Sequence, residues 1–92
     1  MSASLSGLTI GTLELTPEFD PETTEYATAT TNATNKVTAT AYDEDATVTI
    51  ELNGEEIDNE SSAEWEAGEN EMTITAVNGR NTMTYTVTVT KS

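Results

Sequence analysis

The alternation of apolar and polar residues is clearest near the C-terminus. In the runs Met72–Ala76 and Met83–Thr90, apolar residues alternate with threonine, which is the period-two pattern of a strand with one buried face. Between the runs, Asn78-Gly79 can adopt the positive φ that a tight reversal requires. The sequence therefore predicts a C-terminal β-hairpin. Because a lone two-stranded ribbon is marginal in water, a second sheet must cover its apolar side.

The N-terminal pattern predicts short strands followed by a long loop. Apolar residues in Ser4–Ile10 and Leu13–Leu15 are separated by Gly11, and this spacing favours two short edge strands joined at a glycine kink or bulge. The segment Leu15–Tyr26 contains both prolines of the chain, which cannot donate to a strand ladder. We predict that it is a loop that crosses between the sheets and places Phe19 in the core.

Three further strands are predicted in the central part of the chain. Tyr26–Thr31 alternates alanine with threonine, and this weak contrast leaves open which residues face inward. After a predicted turn at Asn32–Asn35, the segments Val37–Ala41 and Val48–Leu52 show the period-two pattern again. Each of these two segments is therefore predicted to be a strand with one buried face.

Polar segments separate these strands from the final hairpin. The acidic segment Asp43–Asp45 predicts one turn, and Asn53-Gly54 predicts a tighter one, after which Glu55–Ile57 can form a short returning strand. We expect Asp58–Ser62 to be a loop and Gly68–Asn70 to turn the chain into the hairpin.

About seven short strands with turn signals every eight to twelve residues predict an all-β fold, an immunoglobulin-like antiparallel β-sandwich. The 92 residues are expected to form one domain, 1–92, because so short a chain cannot bury two cores.

The alternation along the strands also predicts which aromatic residues are buried. Trp65 is predicted to face inward because its charged neighbours Glu64 and Glu66 occupy the alternate, outward positions. Tyr42 does not share the alternate positions of the core residues and is predicted to be exposed. The predicted core consists of Leu8, Leu13, Phe19, Tyr26, Val37, Ala39, Val48, Ile50, Trp65, Ile74, Tyr85, Val87 and Val89.

The charge of the chain limits its partners. The formal net charge is −14, with 17 acidic and 3 basic residues, so that phosphate backbones and anionic headgroups are repelled. We predict no nucleic-acid partner and no membrane partner, and we expect the isolated domain to be a soluble monomer. No apolar run is long enough to span a bilayer and no signal-peptide pattern follows Met1. The domain is therefore expected to be a module of a longer protein, or to be delivered without such a signal.

The residue types that carry most catalysis are missing. The chain has no cysteine and no histidine, which excludes disulfides, the usual zinc sites and nucleophiles paired with histidine. A glycosidase pair needs two carboxylates that flank a cleft, but the acids fall mainly on turns and on outward positions such as Glu14 and Glu51. We predict that the protein is not an enzyme, with no catalytic residue, no cofactor and no metal ligand.

Two acidic segments are candidates for binding a cation. Asp43–Asp45 and Asp58–Glu60 carry oxygen donors, but calcium takes six to eight such ligands, and three adjacent side chains diverge. The sequence leaves open whether either segment binds a cation. Diffuse screening of the acidic surface by salt is the expected behaviour.

Four segments, Leu5–Thr9, Leu15–Tyr26, Val48–Gly54 and Tyr85–Thr90, occur in an order that resembles a known family. The most specific part is the run Leu-x-Pro-x-Phe-x-Pro-x-Thr-x-x-Tyr within Leu15–Tyr26. The chain is similar over nearly its whole length to the cadherin-like β-sandwich repeats of bacterial surface proteins and some phage structural proteins. One departure is the strand after the run, which usually carries valine at alternate positions where this chain has threonine.

The resemblance implies a non-catalytic structural, spacer or adhesive module of a cell-surface or virion protein, located outside the cell. The implied partners are neighbouring domains of the same polypeptide, with a surface glycan or protein as a further candidate. The calcium-ligand motifs of true cadherins are not matched, so the resemblance does not carry a calcium site with it. The alternative is a carbohydrate-binding accessory module of an extracellular enzyme, which would need exposed aromatic rings beside convergent polar groups, with Tyr42 as the first candidate.

Overall fold

The computed structural model describes residues 3–16, 18–20 and 22–92. Pro17 and Pro21, the two prolines of the predicted crossing loop, lie outside the described residues. The described residues form eight strands and no helix. The strands are β1 Leu5–Ile10, β2 Glu25–Thr30, β3 Thr34–Ala41, β4 Thr47–Leu52, β5 Glu55–Ile57, β6 Ser62–Glu64, β7 Gly68–Asn78 and β8 Asn81–Lys91.

The strands form two sheets, one ordered β1-β3-β6 and the other β2-β8-β7-β4-β5. This arrangement confirms the predicted β-sandwich, with eight strands instead of about seven. Every pair of named strands is antiparallel except β2 and β8, which run parallel with Tyr26 opposite Val87. Parallel neighbours need a long crossover connection, and here β3 to β7 lie between them in the chain.

The C-terminal hairpin is confirmed and is longer than predicted. β7 and β8 pair from Gly68 opposite Lys91 to Asn78 opposite Asn81, around a two-residue turn whose Gly79 has φ +63°. The predicted turn at Gly68–Asn70 is wrong, because these three residues belong to the paired strand β7. A polar asparagine is typical of a turn, but the side chain of Asn70 is buried and hydrogen-bonded.

The core lies between the sheets, and every residue that the pattern predicted for it is either buried in it or packed against it. Leu13, Phe19 and Val48 are partly buried and pack against it, and the other predicted members are buried. Val87 and Val89 are fully buried, as expected from their alternation with threonine. The core also includes residues of the same inward faces that the prediction did not name: Leu5, Ile10, Leu52, Ala63, Met72 and Ala76.

A bulge in β1 explains an irregular apolar spacing. Leu5 and Leu8 are three residues apart, yet both are buried, because the register with β3 shifts between Leu5 and Gly7. The extra residue of the bulge changes which alternate positions of the strand face the core. Gly11, with φ +58°, then turns the chain out of the sheet. The predicted second strand at Leu13–Leu15 is wrong, since this part of the chain makes only one isolated bridge, from Thr16 to Ala27.

The structure shows which residues of β2 face the core. Tyr26 and Thr30 are buried, and Ala27 and Ala29 are exposed, so the threonine parity faces inward although alanine is the more apolar residue. The Thr30 hydroxyl accepts a hydrogen bond from the backbone N–H of Asn32 at 2.9 Å. This bond satisfies a polar group that would otherwise be costly to bury.

Two predicted polar segments contain strand residues. The turn predicted at Asn32–Asn35 is wrong at its C-terminal end because β3 begins at Thr34, and Asn35 is buried. The loop predicted at Asp58–Ser62 ends one residue early, since Ser62 begins β6.

The Asn53-Gly54 turn is confirmed, with φ +51° and +89° between β4 and β5. The returning strand Glu55–Ile57 is confirmed as β5. The turn at Asp43–Asp45 is also confirmed, with the Ala46 N–H donating to the Asp43 carbonyl at 3.0 Å.

Replacing Gly11 by alanine is expected to destabilise the domain by about 2 kcal/mol. A Cβ at Gly11 would lie 2.6 Å from the Asn35 Nδ2 atom, and the left-handed backbone there costs a non-glycine residue about 1–2 kcal/mol. The control is Gly7→Ala, because a Cβ at Gly7 meets no atom within 4 Å. Urea unfolding of the two variants should show a clear loss for Gly11→Ala only, and equal losses would contradict this account.

Candidate functional site

A groove lies on one side of the sandwich, between the edge strands β5 and β6. Its volume is about 560 Å³. Three apolar side chains and three glutamates account for most of its lining: Leu52, Ile57, Trp65, Glu55, Glu64 and Glu66. We call this feature the acidic groove.

Trp65 is fixed at the inner side of the acidic groove. Its backbone N–H donates to the Ala33 carbonyl at 3.0 Å, and its indole Nε1 donates to the buried Asn35 Oδ1 at 2.8 Å. Only 7% of Trp65 is exposed, which confirms that it faces inward. The indole therefore supports the core, and too little of it is exposed to form an open stacking surface.

A pair of asparagines holds the turns beside the groove. The fully buried Asn70 accepts hydrogen bonds at Oδ1 from the Glu66 N–H at 2.9 Å and from Asn53 Nδ2 at 3.1 Å, and its Nδ2 donates to the Glu66 carbonyl at 2.8 Å. Asn53 Oδ1 in turn accepts from the Glu71 N–H at 2.9 Å. The sequence pattern places both residues in turns and does not predict that they pair with each other. One signal could have revealed that Asn70 is buried: it lies two residues before the apolar Met72, so both side chains point to the same, inward face of the strand.

The three glutamates of the acidic groove are exposed, and no lysine or arginine is part of its lining. Their charges are solvated, so the groove attracts cations without providing the buried carboxyl that acid catalysis needs. Among the described residues, no group of three or more acidic side chains is placed to hold a metal ion. The arrangement is suited to binding a positively charged ligand by surface contact.

The crossing loop is fastened to β2 by two aromatic rings. The Tyr26 hydroxyl donates to the Asp20 carbonyl at 2.6 Å and accepts from the Asp20 N–H at 2.9 Å. The ring of Phe19 stacks on that of Tyr26, with centroids 6.0 Å apart and an interplanar angle of 16°. Phe19 and Tyr26 belong to the run Leu-x-Pro-x-Phe-x-Pro-x-Thr-x-x-Tyr. Their contacts hold the loop against the sandwich.

The family model described as the cadherin-like beta sandwich domain matches residues 4–92. The chain belongs to this family. The match confirms the resemblance, and a comparison of the cadherin-like domain with curated proteins finds no match. Within the described part of the domain, no helix is long and apolar enough to cross a membrane.

The two acidic segments of the cadherin-like domain are tied into its framework. Asp43 accepts a hydrogen bond from Asn78 Nδ2 at 3.1 Å, which links the β3–β4 turn to the C-terminal hairpin. Asn59 Oδ1 accepts from the Ala39 N–H at 2.9 Å, and its Nδ2 donates to the Ala39 carbonyl at 2.7 Å. The Asn59 amide thus takes the place of a neighbouring strand along the edge of β3. Glu44 and Glu60 line one shallow groove of about 420 Å³, so the two segments are neighbours.

Calcium is expected to stabilise the cadherin-like domain no more than an equal ionic strength of sodium chloride. The reason is that Asp43 is engaged by Asn78 and that exposed acids respond mainly to screening. Thermal midpoints measured in the two salts check this. A saturable extra rise of several degrees in calcium, removed by Asp43→Asn with Asp45→Asn, would show a dedicated site.

The stability of the cadherin-like domain should fall above pH 10 in a way that depends on Tyr26. Burial raises the pKa of the Tyr26 hydroxyl above its ordinary value of 10.0, with the backbone hydrogen bond to Asp20 opposing this shift. The folded state then keeps a proton that the unfolded chain loses, so the contribution is complete below about pH 10 and is lost as the pH rises further. Unfolding free energies measured from pH 9 upward should fall more steeply for the wild type than for Tyr26→Phe. Parallel slopes would mean that Tyr26 is not the cause.

Proposed function

We propose that the domain is a non-catalytic structural, spacer or adhesive module of a bacterial cell-surface or phage virion protein, outside the cell. The observation that carries the proposal is that β1 begins at one end of the sandwich and β8 ends at the other. Leu5 is paired with Ala41, next to the Asp43 turn, and Asn78 Nδ2 donates to Asp43 at 3.1 Å, so β1 begins at the end of the sandwich that carries the β7–β8 turn. Lys91 lies at the opposite end, paired with Gly68 and Thr30.

The dimensions of the domain support a spacer. Its extents are 39 × 24 × 18 Å, and a strand as long as β8, with 11 residues, spans roughly 35 Å. The strands therefore run along the long axis, and the chain enters and leaves along that axis. Copies joined in tandem would extend as a rod, and their negative charge would oppose side-by-side association.

A non-catalytic role is supported by the chemistry of the surface. The chain lacks histidine and cysteine, and the carboxylates of the acidic groove are exposed. The family to which the chain belongs is typically structural or adhesive, which agrees with the absence of these residue types.

Small-angle X-ray scattering on one, two and three copies joined by short linkers tests the spacer role. The maximum dimension is expected to rise by about the long axis of the domain, 39 Å, with each added copy. Compact particles whose maximum dimension rises by only the short axis would contradict the proposal.

Carbohydrate binding is the alternative function, and Tyr42 is the observation that favours it. Tyr42 is 71% exposed, as predicted, whereas the other four aromatic residues are buried or partly buried. A single ring outside the acidic groove gives little stacking surface for a sugar. A glycan array with the wild type and Tyr42→Ala separates the functions, because reproducible binding that is lost in the variant would favour the carbohydrate-binding module.

A further inference from the structure

We propose that the acidic groove binds an extended, positively charged segment of a partner protein, which adds as a strand to the free edge of β6. This interaction goes beyond the spacer role and does not depend on it. The partner is defined by its chemistry: lysine or arginine alternating with apolar residues, in a conformation able to pair with a strand.

The backbone of β6 is paired with a strand on one side only. On its inner side, the Trp65 N–H donates to the Ala33 carbonyl and the Val37 N–H donates to the Ser61 carbonyl. In an antiparallel ladder, alternate residues direct their N–H and C=O groups to the partner strand and the residues between them point to the opposite edge. The backbone groups of Ser62 and Glu64 therefore point away from β3, and no other described strand pairs with that edge.

Two other strand edges of the sandwich are protected, whereas the edges of β5 and β6 beside the groove are not paired with another described strand. The outer edge of β2 is bridged by Thr16, and the Thr28 hydroxyl donates to the Glu14 carbonyl at 2.8 Å. The edge of β3 beyond β6 is covered by the Asn59 amide. Exposed strand edges invite pairing with other chains, and proteins usually block them. The unblocked edge of β6 is therefore a suitable place for an added strand.

The composition of the groove suits a strand that carries both apolar and basic side chains. An added strand presents every second side chain to the sheet interior, and the apolar surfaces of Leu52, Ile57 and Trp65 line that side. The volume of about 560 Å³ lies within the range of about 300–1,000 Å³ that is usual for ligand sites. The intervening side chains would meet Glu64 and Glu66, which explains the preference for lysine or arginine.

The net charge of the domain favours a cationic ligand in the acidic groove over an anionic one. At −14, a second copy of the domain is repelled, as are nucleic acids. A cationic segment is attracted over a distance and then held by backbone pairing, so its association rate should fall as salt is added. We therefore assign the groove to a basic peptide segment and not to self-association.

The binding test uses the fluorescence of Trp65, which is the single tryptophan and lines the groove. The probe is a short peptide of alternating lysine and valine. The control probe has the same sequence with alternate backbone nitrogens methylated, which preserves the charge but prevents strand pairing. We expect the first peptide to shift the tryptophan emission saturably and to perturb the backbone amide resonances of Ser62 and Glu64, and the methylated peptide to bind at least about tenfold more weakly, a factor that corresponds to about 1.4 kcal/mol.

Two charge variants separate the groove from the general field of the protein. Glu64→Lys with Glu66→Lys changes the groove, and Glu14→Lys with Glu22→Lys changes the net charge equally at exposed sites outside its lining. The groove variant is expected to weaken binding at least about tenfold and the control variant much less. Equal weakening in the two variants, equal binding of the methylated peptide, or no binding of the first peptide would overturn the proposal. None of these results would alter the scattering test of the spacer role.

Discussion

Replacing Tyr85 by alanine should lower the unfolding free energy by about 3–5 kcal/mol, the usual cost of removing a buried aromatic ring. Tyr85 heads the fully buried side chains of the domain by volume, with 0% of its surface exposed. It lies in β8, between the two sheets, so its loss would leave a cavity in the middle of the core. Since small domains are stable by only about 5–15 kcal/mol, this single change is expected to leave little of the stability.

Urea unfolding of three variants separates the ring of Tyr85 from its hydroxyl. Tyr85→Phe keeps the ring but removes the acceptor that the Leu5 N–H uses at 3.0 Å, which should cost about 1–3 kcal/mol. Tyr42→Ala is the control, because Tyr42 is 71% exposed and surface changes usually stay within about 0.5 kcal/mol. A Tyr85→Phe variant as stable as the wild type would show that this link between the sheets contributes little.

Replacing Asn70 by leucine should lower the unfolding free energy by about 2–4 kcal/mol, although leucine is the more apolar residue. The Asn70 amide satisfies the Glu66 N–H and carbonyl and also donates to the carbonyls of Gly68 and Val89. Each buried polar group left without a partner costs about 1–3 kcal/mol. Leucine would fill the space but would leave these groups unpaired.

Two further variants test the explanation for Asn70. Asn70→Asp should be at least as harmful as Asn70→Leu, because a carboxylate would replace the Nδ2 donor that now faces three carbonyl oxygens. Asn32→Ala, at an exposed position, should change the stability by about 0.5 kcal/mol or less. Denaturation midpoints of the three variants decide the matter, and a stabilising Asn70→Leu would mean that packing outweighs the hydrogen bonds.

The features that follow from local patterns could be predicted from the sequence. Period-two alternation identified the hairpin and its inward valines, and Asn53-Gly54 identified a tight turn because few residues adopt positive φ. The inward position of Trp65 followed from its charged neighbours. In each case the information lies within a few residues, and the fold did not have to be known.

The features that depend on tertiary partners could not be predicted. Asn35 and Asn70 look like turn residues, and they are buried only because Trp65 and the 66–68 backbone lie within hydrogen-bond distance. The acidic groove requires knowing that β5 and β6 are the last strands of different sheets. Strand order is a property of the whole chain, so no local pattern reports it.

The positions of the start of β1 and the end of β8 determine how the domain would carry mechanical load. A force that pulls on the start of β1 and the end of β8 acts along the strands, in opposite directions on the two sheets. The hydrogen bonds of an antiparallel ladder lie across the strands, so those between β1 and β3, from Leu5 to Ile10, are loaded in shear and share the tension. They must fail together, whereas a hairpin pulled from its open end unzips one pair at a time. The Leu5–Tyr85 hydrogen bond adds a tie between the sheets at the point where the force enters.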